Sequence, residues 1–494
     1  MASRELCVMK ALRRSIVHVA MWGGVELVAR YGIQMLVFLL LARLLSPGEF
    51  GLLSIAMVFV SLGLILSDSG FGAALVQLPD VTEDHRVSAL LASFACGSIA
   101  GAMLWAAAPW LSRSFGEPGL LFLVRWLSLA LPLGSLVAVP DGFLVRALRF
   151  QRRAAIEIGA SLAAGAGAVL LAARGRGLWS LIVFTLGTMA LRVLGLWMFS
   201  GWRPRGRVRR SAIRDLVGFG GFLALSSLLD TLSTRLHALI LGWKFDSGTV
   251  GRFSLAQNVQ QVPTFLATRL IDRTGLPVLS EIATDRSALR RAIRHWNATA
   301  QFLFMPCMLL LSIGAKDLVA ILLGPDWSET GPVLAILALA ALFAPVSAIN
   351  LAALKAMGHA RRFLKLEIVK KSILIVAIVA GSGFGAIGVA WAFALASAVA
   401  LVANLRYSDR WLGYGLAPQL RHLGRIVLLN ALAGGGAKLA SELAESPLSR
   451  LTVSAGLFFA LYLGGTAWQG VPWNRRHDER DFLLGIDMSD GGPS

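Results

Sequence analysis

Charged and polar side chains recur at helical spacing inside long apolar stretches of this sequence. In the first stretch Glu26, Arg30 and Gln34 follow one another at four-residue intervals, so they share one face of a helix. A charge at the middle of a bilayer costs roughly 2.5–3.5 kcal/mol on insertion scales. Such side chains therefore face a partner or a water-filled cavity, which makes them candidates for binding a polar solute.

A second apolar stretch places Asp230 and Thr234 on one helical face, with Arg235 directly after them. The planar guanidinium of an arginine donates several charge-assisted hydrogen bonds to a phosphate group. Arg30 and Arg235 are therefore candidates for contacting an anion, with Glu26 and Asp230 as their counter-charges.

A third stretch contains Gln257, Asn258 and Gln261, and Pro263 interrupts its regularity. A polar run of this kind in an apolar helix favours a hydrated wall over a lipid-facing one. The structural alternative is a set of interhelical hydrogen bonds that only hold the bundle together, each worth about 0.6 kcal/mol. For the first stretch, a local ion pair between Glu26 and Arg30 is an equal alternative.

The composition identifies the elements that must position these residues. Of the 494 residues, 56% are hydrophobic and 15% are charged, whereas soluble domains are roughly 25% charged. The mean hydropathy is +0.69, and apolar runs of spanning length recur from end to end. We therefore predict an all-α, polytopic membrane protein. The net charge of +19 needs no nucleic acid partner, because basic loops set the orientation of membrane proteins.

We predict fourteen transmembrane helices with both chain ends in the cytoplasm. This arrangement assigns 34 of the 47 lysines and arginines to cytoplasmic segments and only 7 to outward connections, as the positive-inside rule requires. The three cysteines form no CxxC pair, and neither a nucleophile elbow, a P-loop nor a metal motif is present. The sequence therefore predicts no enzyme activity, no metal and no cofactor.

A short repeat organises the helices into two lobes. Four residues recur at an offset of 200, and the pairs are Gly48 with Gly248, Gly51 with Gly251, Ser54 with Ser254 and Ala56 with Ala256. We predict pseudo-equivalent six-helix lobes around a central cavity. The predicted segments are an N-terminal lobe (17–200), a basic cytoplasmic linker (201–214), a C-terminal lobe (215–405), two further helices (419–468) and a cytoplasmic tail (473–494).

The same offset places Arg30 of the first helix on Asp230 of the seventh. We predict that both line the cavity, near each other or near the solute, with Asp230 orienting Arg30 or carrying a coupling proton. Coincidence is the alternative explanation for so short a repeat.

Several short motifs together resemble the bacterial polysaccharide flippases, the Wzx-type branch of the superfamily that also contains the MATE exporters. The motifs are LARLLSPGEFG (41–51), DSGFGAALVQ (68–77), ALRFQRRA (147–154), GPDW (324–327) and KAMGHARR (355–362). The resemblance implies a carrier in the bacterial inner membrane that translocates polyprenyl-pyrophosphate-linked oligosaccharide units by alternating access. It also implies contacts with membrane lipids and, on the product side, with polysaccharide polymerase machinery. It transfers no binding residue, because the motifs are mostly turns and loops.

Two alternatives to a polysaccharide flippase remain at this point. One is a MATE-like, cation-coupled exporter of small molecules on the same fold. The other is an integral-membrane glycosyltransferase or polysaccharide polymerase, which would normally have long outward loops with catalytic residues. The longest outward connection predicted here spans only residues 315–331.

The predicted topology can be tested with reporter fusions. Fusions after residues 208 and 480 should both report a cytoplasmic location, because the basic linker and the tail follow even numbers of spans. Fusion junctions in the outward connection 315–331 provide the opposite control. A periplasmic signal at residue 208 would contradict the two-lobe arrangement.

Overall fold

All regular structure in the described residues is helical. The structure, a computed structural model, describes residues 31–77, 80–147, 149–271, 275–283, 285–358 and 360–469. Across these ranges no β-strand occurs, and long apolar helices dominate. The prediction of an all-α, polytopic membrane fold is confirmed.

The helices follow one another with short connections. In chain order they are α1 (Tyr31–Leu44), α2 (Pro47–Asp68), α3 (Phe71–Gln77), α4 (Glu83–Phe115), α5 (Pro118–Leu127), α6 (Ala130–Ser135), α7 (Ala138–Arg146), α8 (Phe150–Ala173), α9 (Gly177–Phe199), α10 (Arg210–Lys244), α11 (Ser247–Leu270), α12 (Leu276–Glu281), α13 (Arg286–Ile313), α14 (Ala315–Leu322), α15 (Thr330–Ala340), α16 (Ala344–Ala356), α17 (Ala360–Gly381), α18 (Gly385–Leu412), α19 (Leu416–Glu442) and α20 (Pro447–Gln469). Short 3-10 turns occupy Pro325–Trp327 and Ser382–Phe384.

Nine helical segments of the described chain are at least 18 residues long and apolar enough to cross a bilayer, and α1 is a shorter apolar helix. The long helices α10, α11 and α19 are too polar to meet the same criterion. Fourteen spans therefore stay a prediction.

The predicted fourth and tenth spans, 119–139 and 332–354, are broken rather than continuous helices. The segment from α5 to α7 breaks at Ser128 and again at Leu136, and the segment from α15 to α16 breaks at Ala341. Each break lies four residues before a proline, Pro132, Pro140 or Pro345. The proline ring clashes with the carbonyl of the residue four positions earlier and supplies no N–H to it, so the helix ends and starts again.

The described residues form two compact units, and each has its own packing. Unit 1 comprises the chain up to Leu266 together with Leu322–Leu337 and Glu367–Ala396. Unit 2 comprises the segments Ala267–Ile321 and Ala338–Leu366 and the chain from Ser397 onward.

The repeated turns in unit 1 start α2 and α11 with similar caps. The Ser46 hydroxyl accepts a hydrogen bond from Glu49 N, and the Glu49 carboxylate accepts one from Ser46 N at 2.9 Å. At the equivalent place in the second turn, the Asp246 carboxylate accepts a hydrogen bond from Thr249 N at 2.5 Å. Both caps satisfy backbone N–H groups that have no partner within the helix.

The two turns also pack against each other reciprocally. A Cβ added to Gly51 would overlap the Ser247 carbonyl oxygen, and a Cβ added to Gly251 would overlap the Pro47 carbonyl oxygen. Pro47 and Ser247 are themselves 200 positions apart. The repeat in the sequence therefore corresponds to a symmetric backbone contact, in which each turn provides one glycine and one carbonyl.

Trp327, the last residue of GPDW, joins this region. Its indole Nε1 donates to Ala42 O at 2.8 Å, and its ring meets Phe50 edge-on at 5.5 Å. The side chain is 1% exposed. Two motifs that lie almost 300 residues apart in the chain thus form one packed cluster, because Ala42 and Phe50 both belong to LARLLSPGEFG.

The basic linker 201–214 lies against the acidic start of α4 in unit 1. Trp202 Nε1 donates to Glu83 Oε2 at 3.0 Å, and Arg209 Nε lies 2.6 Å from Asp84 Oδ2. The acidic residues at the start of α4, Glu83 and Asp84, thus provide partners for the most basic connection of the chain.

The reciprocal glycine contact gives a stability prediction. Gly51→Ala and Gly251→Ala should each lower the thermal unfolding midpoint of the detergent-solubilised protein, because overpacking of a tight contact typically costs about 1–3 kcal/mol. Gly48→Ala is the matched control, since its added Cβ would meet Ser247 Oγ at an ordinary 3.5 Å. Equal effects of all three substitutions would show that the backbone contact does not limit stability.

Candidate functional site

A closed cluster of charges lies between α7, α8 and α9 in unit 1. Arg153 donates to both carboxylate oxygens of Asp141, at 2.7 and 3.2 Å. Arg192 has its Nε 2.7 Å from Glu157 Oε1 and its Nη2 3.7 Å from Asp141 Oδ2. Glu157 is only 4% exposed. Two cations and two anions neutralise one another here, so this cluster stabilises the helix packing and leaves no charge free for a solute.

An open ion pair joins α10 to α17 in the same unit. Lys371 Nζ lies 2.6 Å from Asp230 Oδ1, and the Asp230 side chain is 62% exposed while that of Lys371 is 24% exposed. Lys370 and Glu367 form a second pair one turn away, and both of these side chains are less exposed, at 15% and 22%. Asp230 is therefore the accessible carboxylate of a charged group on two neighbouring helices.

Arg235 lies five residues beyond Asp230 on α10 and is half-buried. The described part of the chain provides it with neither a carboxylate within ion-pair distance, nor a hydrogen-bond acceptor, nor an aromatic face. Arg125, another arginine in an apolar helix, instead has its guanidinium 4.8 Å from the centre of the Trp105 ring. A desolvated cation without a partner attracts an anion, so Arg235 is the strongest anion-binding candidate in unit 1.

The other candidates on α1 and α10, which correspond to the first and seventh predicted spans, have simpler surroundings. The Thr234 hydroxyl donates to the Asp230 carbonyl at 2.9 Å, so it is already bonded within its own helix. Gln34 is exposed on α1. Glu26 and Arg30 lie outside the described residues, and the place of Arg30 opposite Asp230 stays a prediction.

The polar run of α11 has two faces. Gln257 and Gln260 are buried, and the Gln260 amide donates to Thr264 Oγ1 at 2.7 Å. Asn258 and Gln261 are exposed. Across the described chain, no hydrogen bond links the polar candidates of α1, α10 and α11 to one another. They occur in the same unit, and their joint role in a cavity stays a prediction.

Unit 2 contains a buried amide network that the sequence analysis did not identify. Gln419 on α19 accepts from Asn297 Nδ2 at 3.0 Å and donates to Asn350 Oδ1 at 2.9 Å. Ser408 also donates to Asn350. A small cavity of about 10 Å³ lies beside Asn350 and Ser408. Because these groups are neutral and largely bonded to one another, the network links α13, α16, α18 and α19 rather than offering a site for a charged solute.

Lys371, Asp141 and Glu157 were not predicted as site residues from the sequence. Lys370 and Lys371 stand together in the first half of the predicted eleventh span, 363–381, although the charge count assigns them to the cytoplasmic side, and their adjacency was the available signal. The ion-pair partners were not readable, because Asp230 precedes Lys371 by 141 positions. Spacing within one helix reveals a shared face and gives no information on the facing helix.

The arrangement in unit 1 is suited to binding an anion. Arg235 offers a free guanidinium, and Lys371 offers an ammonium whose present partner is an exposed carboxylate. Among the described residues, no group of three His, Cys, Asp or Glu side chains could hold a metal ion.

Comparisons with known proteins agree with this description. The lipopolysaccharide biosynthesis protein WzxC of Escherichia coli (strain K12) is 26% identical over 393 residues, which cover 78% of this chain and 79% of WzxC. The succinoglycan biosynthesis transport protein ExoT of Rhizobium meliloti (strain 1021) is 24% identical over 318 residues, or 64% of each chain.

Two solved structures show the same fold at low sequence identity. The lipid II flippase MurJ in an inward closed conformation has a TM-score of 0.74 and 13% identity, and the match covers 92% of this chain and 98% of MurJ. An inward-facing multidrug resistance MATE family transporter of the MOP superfamily has a TM-score of 0.61 and 15% identity, covering 78% of this chain and 98% of the transporter.

The family model described as "Polysaccharide biosynthesis protein" matches residues 40–332. That range is more than half of the chain, and it contains α10, α11 and the GPDW motif. The chain therefore belongs to the polysaccharide biosynthesis protein family.

Proposed function

We propose that this protein is a flippase that translocates polyprenyl-pyrophosphate-linked oligosaccharides across the bacterial inner membrane, from the cytoplasmic leaflet to the outer leaflet. The observation that carries the proposal is Arg235, a half-buried guanidinium for which the described residues supply no counter-ion. A diphosphate would provide that counter-ion, since the arginine fork matches its oxygens.

The chemistry of such a substrate fits a helical membrane carrier. The diphosphate and the sugars are polar and need a hydrated path, whereas the hydrocarbon tail can remain in the lipid. The family membership supports a polysaccharide precursor as the cargo. The fold shared with a lipid II flippase supports translocation of a lipid-linked precursor.

Movement by alternating access completes the proposal. The two predicted six-helix lobes, 17–200 and 215–405, would rock about the turns that start α2 and α11. The reciprocal contacts of Gly51 and Gly251 support a pseudo-symmetric pair of this kind. Both chain ends would be cytoplasmic, and polysaccharide polymerase machinery would use the product outside.

The chemistry of the site favours an anionic lipid over the cation expected for a MATE-like exporter. A cation site needs a carboxylate or an aromatic face that no neighbouring cation neutralises, but the Lys371 ammonium lies beside the exposed Asp230 carboxylate. An enzymatic role lacks a supporting constellation in the described residues, and the named relatives include a transport protein and a flippase.

Deletion of the protein should separate transport from synthesis. We expect surface polysaccharide to be lost while lipid-linked units accumulate on the cytoplasmic leaflet, as measured by lipid extraction and leaflet-selective labelling. Complementation with the intact chain is the control. Absence of any lipid-linked unit in the deletion strain would support an enzyme that makes the unit.

Arg235 gives the residue-level prediction. Arg235→Ala should reduce export at least tenfold, with protein abundance unchanged, because it removes an unpaired cation and no ion pair. Arg235→Lys should retain part of the activity, since an ammonium preserves the charge without the fork. The readout is surface polysaccharide together with the amount of protein in the membrane.

Arg210→Ala is the matched control for Arg235, because Arg210 is an exposed arginine at the start of the same helix. It should export normally. Normal export by Arg235→Ala at normal abundance would remove Arg235 from the mechanism.

A further inference from the structure

The ion pair between Asp230 on α10 and Lys371 on α17 differs from the closed charge cluster of unit 1. Its Oδ1–Nζ distance is 2.6 Å, and its carboxylate side chain is 62% exposed. In the closed cluster, the Asp141 and Arg153 side chains are each 18% exposed. One pair is thus shielded by its neighbours, whereas the other has an accessible anionic side.

The exposed side of the Asp230 carboxylate indicates what surrounds it. Asp230 lies in the predicted seventh span, 216–243, where a carboxylate facing hydrocarbon would be strongly disfavoured, so we infer that its open side faces water. An ion pair in contact with water contributes only about 0–1 kcal/mol to stability. The bond between Asp230 and Lys371 is therefore weak enough to exchange for a better anion.

Lys371 has the chemistry to accept such an anion. Its ammonium carries three donors, and Asp230 Oδ1 is its hydrogen-bond acceptor on α10. A diphosphate has more charge and more acceptor oxygens than a carboxylate, and lysine binds phosphate as a compact point charge. Asp230 meanwhile has an exposed side and can be solvated when it is displaced.

We propose that Asp230 is a displaceable counter-ion that occupies Lys371 until the diphosphate of the substrate takes its place. The inference rests on the proposed function, because it uses the same lipid-linked substrate. In the empty carrier Asp230 neutralises Lys371. In the loaded carrier the ammonium binds the diphosphate, and the return of Asp230 then helps to release it.

This exchange predicts opposite effects for the two partners. Removing Lys371 removes a ligand and weakens diphosphate binding. Removing the charge of Asp230 removes a competitor and strengthens binding. A purely structural ion pair would give effects of the same sign, because the loss of either partner breaks the same contact.

The experiment measures lipid binding by the purified full-length protein in nanodiscs. The two probes are a polyprenyl diphosphate and the uncharged polyprenol with the same chain. Lys371→Met should weaken diphosphate binding at least tenfold, or about 1.4 kcal/mol, without changing polyprenol binding. Asp230→Asn should tighten diphosphate binding severalfold and slow its dissociation.

Lys370→Met is the matched control, because Lys370 is the adjacent lysine, pairs with Glu367 on its own helix and lies outside the proposed site. Its diphosphate affinity should stay within about twofold of the wild-type value. The double variant Asp230→Asn/Lys371→Met addresses folding, since it leaves no unpaired charge. We expect it to unfold at a temperature close to that of the wild type and still to bind diphosphate as weakly as Lys371→Met.

The possible outcomes separate the two proposals. If the wild-type protein binds the diphosphate no better than the polyprenol, the proposed function fails, and the inference fails with it. If the wild-type protein prefers the diphosphate but Lys371→Met does so equally, only the inference is overturned. Weakened binding in both single variants, with recovery in the double variant, would identify a structural bridge and would also overturn it.

Discussion

The contact between the turns that start α2 and α11 is the constraint on which unit 1 depends. Gly51 meets the Ser247 carbonyl, and Gly251 meets the Pro47 carbonyl, at separations that leave no room for a Cβ. Glycine is required there because of the close backbone approach. Trp327 covers the same region through its bond to Ala42. Motifs far apart in the chain are therefore parts of one packed junction, which explains why short turn sequences can characterise a large membrane protein.

The charged side chains in the helices of unit 1 have different surroundings. Some are neutralised within a closed cluster, and others remain accessible. The charges around Asp141 and Glu157 are closed into a neutral cluster. The Asp230 carboxylate is paired but accessible, and Arg235 has no partner among the described residues. Since an isolated charge is costly in a membrane, the sites that remain open are the places where we propose that a polar solute replaces water or a counter-ion.

The polar groups of unit 2 serve a different purpose. Asn297, Asn350 and Gln419 bond to one another from three helices and are almost fully buried. A buried network of neutral amides that bond largely to one another fixes the register of those helices. The linker that precedes α10 in unit 1 is likewise held by specific partners, because Arg209 pairs with Asp84 at the start of α4. Arg209 of that linker thus has a packing role in addition to the orientation that the charge bias predicts.

The sequence by itself determined the helical membrane class, the family and several residues worth testing. Hydrophobic length and spacing are properties of single segments, so Arg235 could be placed on an apolar helix, and the turn repeat at Gly51 and Gly251 could be recognised. Only the tertiary structure decided the partners. It assigned Lys371 to Asp230 and left Arg235 without a counter-ion among the described residues. The physical reason is that an ion pair depends on the distance between two side chains on different helices, whereas helical periodicity reports only the direction of each side chain on its own helix.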